Sequence, residues 1–599
     1  MKSKYIISLA FAALSMSSCG DFLTREPEDT VTDIPSFWNN EDNIRSSVYN
    51  LYTDYFVGYN SGWSRSDFFY DTRVADWNDD NAQEKATMFT KVAPTTGDGA
   101  SDANPASPWD FTNVTTINKL LAKVQESSLN EEAKNHWMGV ARFFRAMEYS
   151  RLVQRFGDVP WYDETIGSTD YDQLYKERDP RLTVMGNVLA DLEFASANVR
   201  ESDGEKGLTV NRDVVDAYAS RLMLFEGTWQ KYREKDNTTA AKFLKAAKEF
   251  ADKVIAYGGY SLCDDYKALT TSVDLKGNSE IIMYRSYVEG VVTHSVMSFQ
   301  NTEHEICSPS KSLIDSYLSA NGLPIHQEGN ACWKGDKWFY DAIKDRDPRL
   351  YANIDTTGLS LSGVAEVYAI SGYFANRFVN ESLKNLAGGL SSTNITDAPI
   401  MKLNEVLMNE IEACAELADL GQYSLSQTDL DRTINVLRDR KSTHMPHLTL
   451  SGSSLAVNGT AINDPDRDQT VSPILWEIRR ERRVELVYEG LRFNDLRRWG
   501  KLEYADMQKN PDINRGAWVD KKKYVEWYNA KFNPSKPITV ETLKSVKLDR
   551  DGDAGYIQPI TDASLMRTQA DKDYLYPLPV NEITLYQQHG KELKQNPGW

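Results

Sequence analysis

Histidine and cysteine are scarce in this chain, with seven and five copies in 599 residues, and several catalytic signatures are missing altogether. There is no G-x-S-x-G elbow, no Gly-rich phosphate loop ending in Lys-Ser/Thr and no H-E-x-x-H pair. The usual local marks of a serine hydrolase, a nucleotide-binding P-loop and a zinc protease are therefore absent. Cys19, Cys263, Cys307, Cys332 and Cys414 are scattered without C-x-x-C spacing, so neither a zinc cluster nor a disulfide scaffold is indicated. His444-Met-Pro-His447 brings two imidazoles together without a third ligand and reads as a surface loop. Asp549-Arg-Asp-Gly-Asp553 resembles the start of a calcium loop, but Ile560 stands where the bidentate Glu belongs. No cofactor is expected, a structural Ca²⁺ being the one ion these residues suggest. The excess of acidic over basic residues also excludes a partner class, because a formal net charge of -19 repels a polyanion such as nucleic acid.

Long apolar runs are missing too. The longest, from Tyr5 to Met16, falls short of the roughly 20 residues a membrane span needs. It follows a basic end, Met1-Lys-Ser-Lys4, and precedes Ser17-Ser18-Cys19, the pattern of an export signal. Cleavage before Cys19 would leave that cysteine at the new N-terminus, where bacterial lipoproteins are acylated, and acyl chains alone then suffice as an anchor. The chain divides into a signal peptide over 1–18, a polar lipidated tether over 19–35 and a single body over 36–599, with no low-complexity linker inside it.

Within that body, helical periodicity runs over 43–55, 131–156, 211–232, 239–257, 399–417 and 430–438. Gly157 and Gly258 suit helix C-termini, and in Arg178-Asp-Pro-Arg-Leu182 Asp179 suits an N-cap with Pro180 at the first helical position. Arg346-Asp-Pro-Arg-Leu350 repeats that pentapeptide, but the residues downstream of the two copies differ, as they would for a reused turn. Alanines at 217, 219, 246, 247 and 251 favour close helix contacts. The expected fold is mainly α, with tetratricopeptide-like helix pairs in an α-α superhelix and a loop-rich irregular half carrying a few short strands such as 281–284. The polar segment 441–473 reads as a surface excursion.

The densest charge lies in 479–500. Taken as a helix at about 100° per residue, it places Leu475, Ile478 and Leu486 on one face, with Arg482, Glu485 and Glu489 in the same stripe and Val484, Val487 and Leu491 opposite. Charges on a core-facing stripe must be paired, so a buried ion network is expected. Gly490 marks a bend.

Glu481-Arg-Arg-Val-Glu-Leu-Val-Tyr-Glu-Gly-Leu-Arg-Phe-Asn-Asp-Leu-Arg-Arg-Trp499 closely resembles the most recognisable segment of the SusD/RagB family of Bacteroidetes surface lipoproteins. Arg145 to Pro160, Asn278-Ser-Glu-Ile-Ile282, Arg346 to Leu350, Pro399 to Leu417, Tyr576 to Glu582 and Gln595-Asn-Pro-Gly-Trp599 are similar to that family in the same order. The resemblance implies four helix pairs, a lipid anchor at the outer membrane facing the cell surface, and pairing with a SusC-like TonB-dependent porin. It also implies capture of oligosaccharides for import without cleavage, the helical half facing the porin and the loop half the ligand. Capture of peptides or another nutrient is the alternative within that architecture. A glycoside hydrolase is the alternative outside it, since paired carboxylates leave no local signature.

Sugars need flat apolar faces beside hydrogen-bonding groups, and loop aromatics supply the candidates. Arg73, Asp76, Trp77 and Asn78, joined by Tyr287 and Trp333, form the expected ligand site, with Cys19 as the lipidation site and no catalytic or metal residue.

Overall fold

The computed structural model describes residues 34–63, 109–302 and 308–599. Helix α1 (Glu41–Tyr55) starts where Asn40 accepts the Asp42 N–H, and after it α2 (Thr112–Glu126) and α3 (Glu131–Phe156) form an antiparallel pair. Asn130 caps α3 through the Ala133 N–H, and Gly157, at φ 77°, ends it as the sequence pattern requires. Helices α4 (Arg181–Asn198), α5 (Arg212–Trp229), α6 (Asn237–Tyr257) and α7 (Leu403–Asp419) continue the array, each packed on the one before. The small residues decide how closely they pack. Ala217, Ala219, Ala247 and Ala251 are fully buried, and a Cβ on Gly227 would stand 2.7 Å from Leu244 Cγ.

The mainly helical, tetratricopeptide-like architecture is thus the expected one, with three local corrections. In the first Arg-Asp-Pro-Arg turn Pro180 itself occupies the cap position and the Asp158 carboxylate, not Asp179, accepts the Arg181 N–H at 2.7 Å. Asp179 instead accepts from the Trp161 N–H. The second copy does keep to the expected plan, with Asp347 capping a short helix, Pro348–Asn353. Residues expected to open a helix at 399 instead form strand β2 (Ala398–Lys402), which pairs antiparallel with β1 (Ile281–Arg285). The helix foreseen over 430–438 is broken in two where Thr433 leaves helical backbone space at φ -126°, ψ -92°.

The segment 441–473 is more than a surface excursion. It carries a three-stranded antiparallel meander, β3 (Thr449–Ser451), β4 (Ser454–Val457) and β5 (Thr460–Ala461). Leu448, Leu455, Val457 and Ile462 are buried there in a core shared with Leu475 and Ile478. A second core of the loop-rich half gathers Leu313, Leu350, Phe378, Val484, Val487 and Tyr524.

Helix α8 (Pro473–Glu485) lies between these layers and stops sooner than its charge pattern suggests. Tyr488 and Gly490 both take positive φ, 63° and 74°, and α9 (Arg492–Arg498) leaves in a new direction. The ion network is present and fully buried. Glu485 accepts from Arg349 at 2.8 Å, Arg440 at 2.8 Å and Asn404 at 2.9 Å. Glu481 joins Arg349 and Arg438, Glu489 joins Arg377 and Lys402, and Arg482 reaches Asp495 at 2.9 Å. Arg498 and the Trp499 indole then share Glu412 of α7. Removing this many charges from water is costly unless each finds a partner, and here the partners come from separate segments, so the lattice fixes how the layers meet.

Candidate functional site

The opposite edge of α8 is only partly buried. Trp476, Arg480 and Arg483, spaced i, i+4, i+7, share one helix face and line a cleft of about 570 Å³ whose other wall comes from residues 312–326 and 464–512. Ser472 at the N-cap and Pro473 at the first position fix where that face begins. The Trp476 indole N–H donates to Asp464 Oδ2 at 2.6 Å, which orients the ring. Tyr504 stands near it, ring centroids 6.5 Å apart and planes crossed at 79°. The Tyr504 hydroxyl donates to Asp468 at 2.6 Å, and the Lys501 ammonium lies 2.7 Å from the same carboxylate.

Polar groups frame these rings. Arg480 holds Asp464 and Glu477, while Arg483 donates to Ser316 Oγ at 2.7 Å. His326 Nδ1 lies 2.5 Å from Asp466 across the rim. That hydrogen bond raises the imidazole's pKa and lowers the carboxylate's. Burial alone would push Asp468 up, but hydrogen bonds from Lys501 and Tyr504 outweigh it and hold the carboxyl well below its ordinary value. The cleft therefore offers half-buried aromatic faces beside fixed, charged hydrogen-bonding groups, the pairing that recognises a polyhydroxylated ring.

The sequence-derived site residues fall in different places. Arg73, Asp76, Trp77, Asn78 and Cys19 lie outside the described residues. Trp63, which immediately precedes residue 64, is 56% exposed and meets Phe299 edge to face. Tyr287 is a core residue at 3% exposure. Its hydroxyl donates to the Asn60 carbonyl at 2.8 Å and its ring packs on Tyr59 and His294, so no ring face is open to a ligand. Trp109 is likewise buried, against Phe111 and Phe156. Trp333 is half-buried, its ring 6.0 Å from His326 and beneath the Arg346 guanidinium, which puts it beside the cleft wall. At the calcium-like loop, Asp549 accepts from Arg550 and from the Tyr556 N–H, and Asp553 pairs with Lys522. Among the described residues no group of three His, Cys, Asp or Glu is gathered as for a metal ion, and no helix is long and apolar enough to cross a membrane. Cys263, Cys332 and Cys414 are free thiols.

Residues 360–599, which carry α7 to α9, most of the ion lattice and much of the cleft, match the model of the SusD family. With the relatives below, that match supports membership of the SusD family. A SusD-like protein of Formosa agariphila is 22% identical over 509 residues, covering 83% of this chain and 90% of its own length. Among solved structures, a SusD-like carbohydrate-binding protein from Bacteroides fragilis superposes with a TM-score of 0.66 at 20% identity, over 92% of this chain and 99% of that one. A laminarin-binding SusD-like protein superposes with a TM-score of 0.53 at 18% identity, over 94% and 100%. At these identities the SusD family fold is shared and the side chains around the cleft are this chain's own.

Trp476, Arg480, Arg483 and Tyr504 escaped the sequence reading, which sought ligand groups among loop aromatics and read the charged helix only for the stripe that enters a core. The spacing of Trp476, Arg480 and Arg483 was the available signal. His326, Asp466 and Tyr504 come from segments far apart in the chain and left none.

Proposed function

We propose that this protein is a cell-surface glycan-capture lipoprotein of the outer membrane. It is anchored through Cys19, binds oligosaccharides without cleaving them, and passes them to a SusC-like TonB-dependent porin. The 36–599 body acts as one unit in this reading. The observation that carries it is the cleft, where the Trp476 and Tyr504 rings stand among arginines and carboxylates held in place by one another. Relatives described as carbohydrate-binding and laminarin-binding support the same ligand class.

Affinity electrophoresis through gels containing neutral polysaccharides tests it. The wild-type chain should be retarded by at least one of them. Trp476→Ala should weaken that binding by about 1–3 kcal/mol while leaving the melting temperature nearly unchanged. Retardation by no glycan, or retention unaltered by Trp476→Ala, would remove the cleft from the reading. Shortened products after long incubation with the bound polysaccharide would point to a hydrolase instead, and outer-membrane pull-downs lacking a TonB-dependent receptor would count against the porin. Peptide capture is the second reading, favoured by the presence of both charge signs on the cleft wall, Arg480 and Arg483 facing Asp466 and Asp512. Isothermal titration with a mixed peptide pool separates the two.

A further inference from the structure

The chain is strongly acidic overall, yet residues 515–547 carry eight Lys and Arg against three Asp and Glu. Most of them lie on or beside helix α10 (Lys521–Phe532), which follows strand β6 (Trp518–Asp520). Lys523, Trp527 and Lys531 fall at i, i+4, i+8 and so lie along one face, the two lysines roughly 12 Å apart along the axis.

Each lysine sits over an aromatic ring. The Lys523 ammonium is 4.2 Å from the Trp338 ring centroid, and that of Lys531 is 5.0 Å from Trp527. Trp338 and Trp527 meet edge to face at 6.0 Å, and Phe532, 50% exposed, extends the row. Lys531 is oriented by donating to the Tyr340 hydroxyl at 2.9 Å and the Thr357 carbonyl at 2.6 Å. Neighbouring cations are neutralised, Lys522 by Asp553 and Lys337 by Asp336. Neither Lys523 nor Lys531 has a carboxylate within 4.0 Å among the described residues.

Two cations with no carboxylate partner among the described residues, held over the half-buried Trp338 and Trp527 rings beside the exposed Phe532 in a protein of net charge -19, define a ligand that is anionic, has apolar faces and is long enough to span both. We infer that the face of α10 is a second saccharide-binding surface, separate from the cleft, that takes acidic oligosaccharides. The C–H faces of the sugars stack on the rings, and their carboxylate or sulfate groups pair with Lys523 and Lys531. The inference rests on the reading of the chain as a saccharide binder, and it adds a charge class that the cleft, with both signs on its wall, does not select.

The test is affinity electrophoresis of the full chain in gels holding polygalacturonate or its carboxyl-reduced form, and dextran sulfate or plain dextran. The variants are Lys523→Gln/Lys531→Gln, Phe532→Ala and Trp476→Ala. Retardation by an acidic polymer should exceed that by its neutral counterpart at least tenfold, and should fall at least tenfold in the lysine pair and severalfold in Phe532→Ala. It should persist in Trp476→Ala. Which acidic polymer is retained decides between carboxylate and sulfate. Equal binding of acidic and neutral forms, or an unaltered lysine pair, overturns the inference while neutral binding at the cleft stands. Retention by no polysaccharide overturns both, and binding of the lysine face to anionic lipid vesicles but to no acidic polymer overturns the saccharide assignment. Because the glutamines replace exposed side chains, unchanged melting temperature serves as the folding control.

Discussion

Glu485 is the residue on which the interior depends most. Its carboxylate is out of contact with water and accepts from two guanidiniums and an amide. Burial pushes its pKa up, but Arg440 and Arg349 more than reverse this and bring it down to about 2. Replacing it with alanine strands Arg349 and Arg440 in the core, and Glu485→Ala should cost about 3–5 kcal/mol, read as a lower denaturation midpoint. The pH dependence has a definite sign. With a folded-state pKa below the unfolded one, Glu485 contributes stability that is complete above the ordinary carboxylate range and disappears as pH falls through about 2. Acid titration of the wild type tracked by circular dichroism should show a loss of stability below about pH 4 that Glu485→Ala does not share in full. The sequence made it clear that Arg482, Glu485 and Glu489 needed partners, because an ionised side chain cannot enter a core unpaired. It did not say which partners, since Arg349, Arg377, Lys402 and Arg440 lie far along the chain. The same distance limits explain Tyr287, whose aromatic character suits a binding platform and a core equally well, until its neighbours Tyr59 and His294 are known.

Helix α8 has two occupations. One face carries the ion lattice and another carries Trp476, Arg480 and Arg483 into the cleft, so the element that holds the layers together also presents the candidate site. Helix positions were legible wherever caps and periodicity agreed, and α3 begins and ends where the sequence places it. They were illegible where a strong local pattern was overruled by pairing, as at 398–402, where the antiparallel partner β1 draws the chain into a strand. The repeated Arg-Asp-Pro-Arg-Leu shows how little five residues fix: one copy caps its helix with aspartate, and the other borrows Asp158. Close approach of α5 and α6 gives an element-scale prediction. A methyl on Gly227 would lie 2.7 Å from Leu244 Cγ and 2.9 Å from its backbone nitrogen. Gly227→Ala should therefore destabilise by about 1–3 kcal/mol through overpacking, despite alanine's better helix propensity, and urea denaturation would measure it.

Across the whole molecule, the alternation of helices and small residues made the superhelical half legible. The loop-rich half was not, because its order comes from contacts between distant segments rather than from a period. The C-terminal residues add some of the most distant contacts among the described residues. Asn596 donates to the carbonyls of Phe156 and Tyr576 and accepts from Arg178 at 2.9 Å, while Gln595 exchanges hydrogen bonds with the Leu578 backbone. Trp599 donates its indole N–H to Leu575 at 3.0 Å. Removing residues 595–599 should raise hydrogen exchange and proteolysis around 156–180, with the remainder of the array protected as before.

That clamp also sets an order of events. Asn596 and Phe156 are 440 residues apart, and since a non-local contact repays its loop closure only once much of the chain is ordered, this one is expected to form late. The end of α3 is thus assembled early and sealed last. Until residues 595–599 arrive, the Phe156 carbonyl and the Arg178 guanidinium have water in place of Asn596, and that interval is when a protease would find the repeat open.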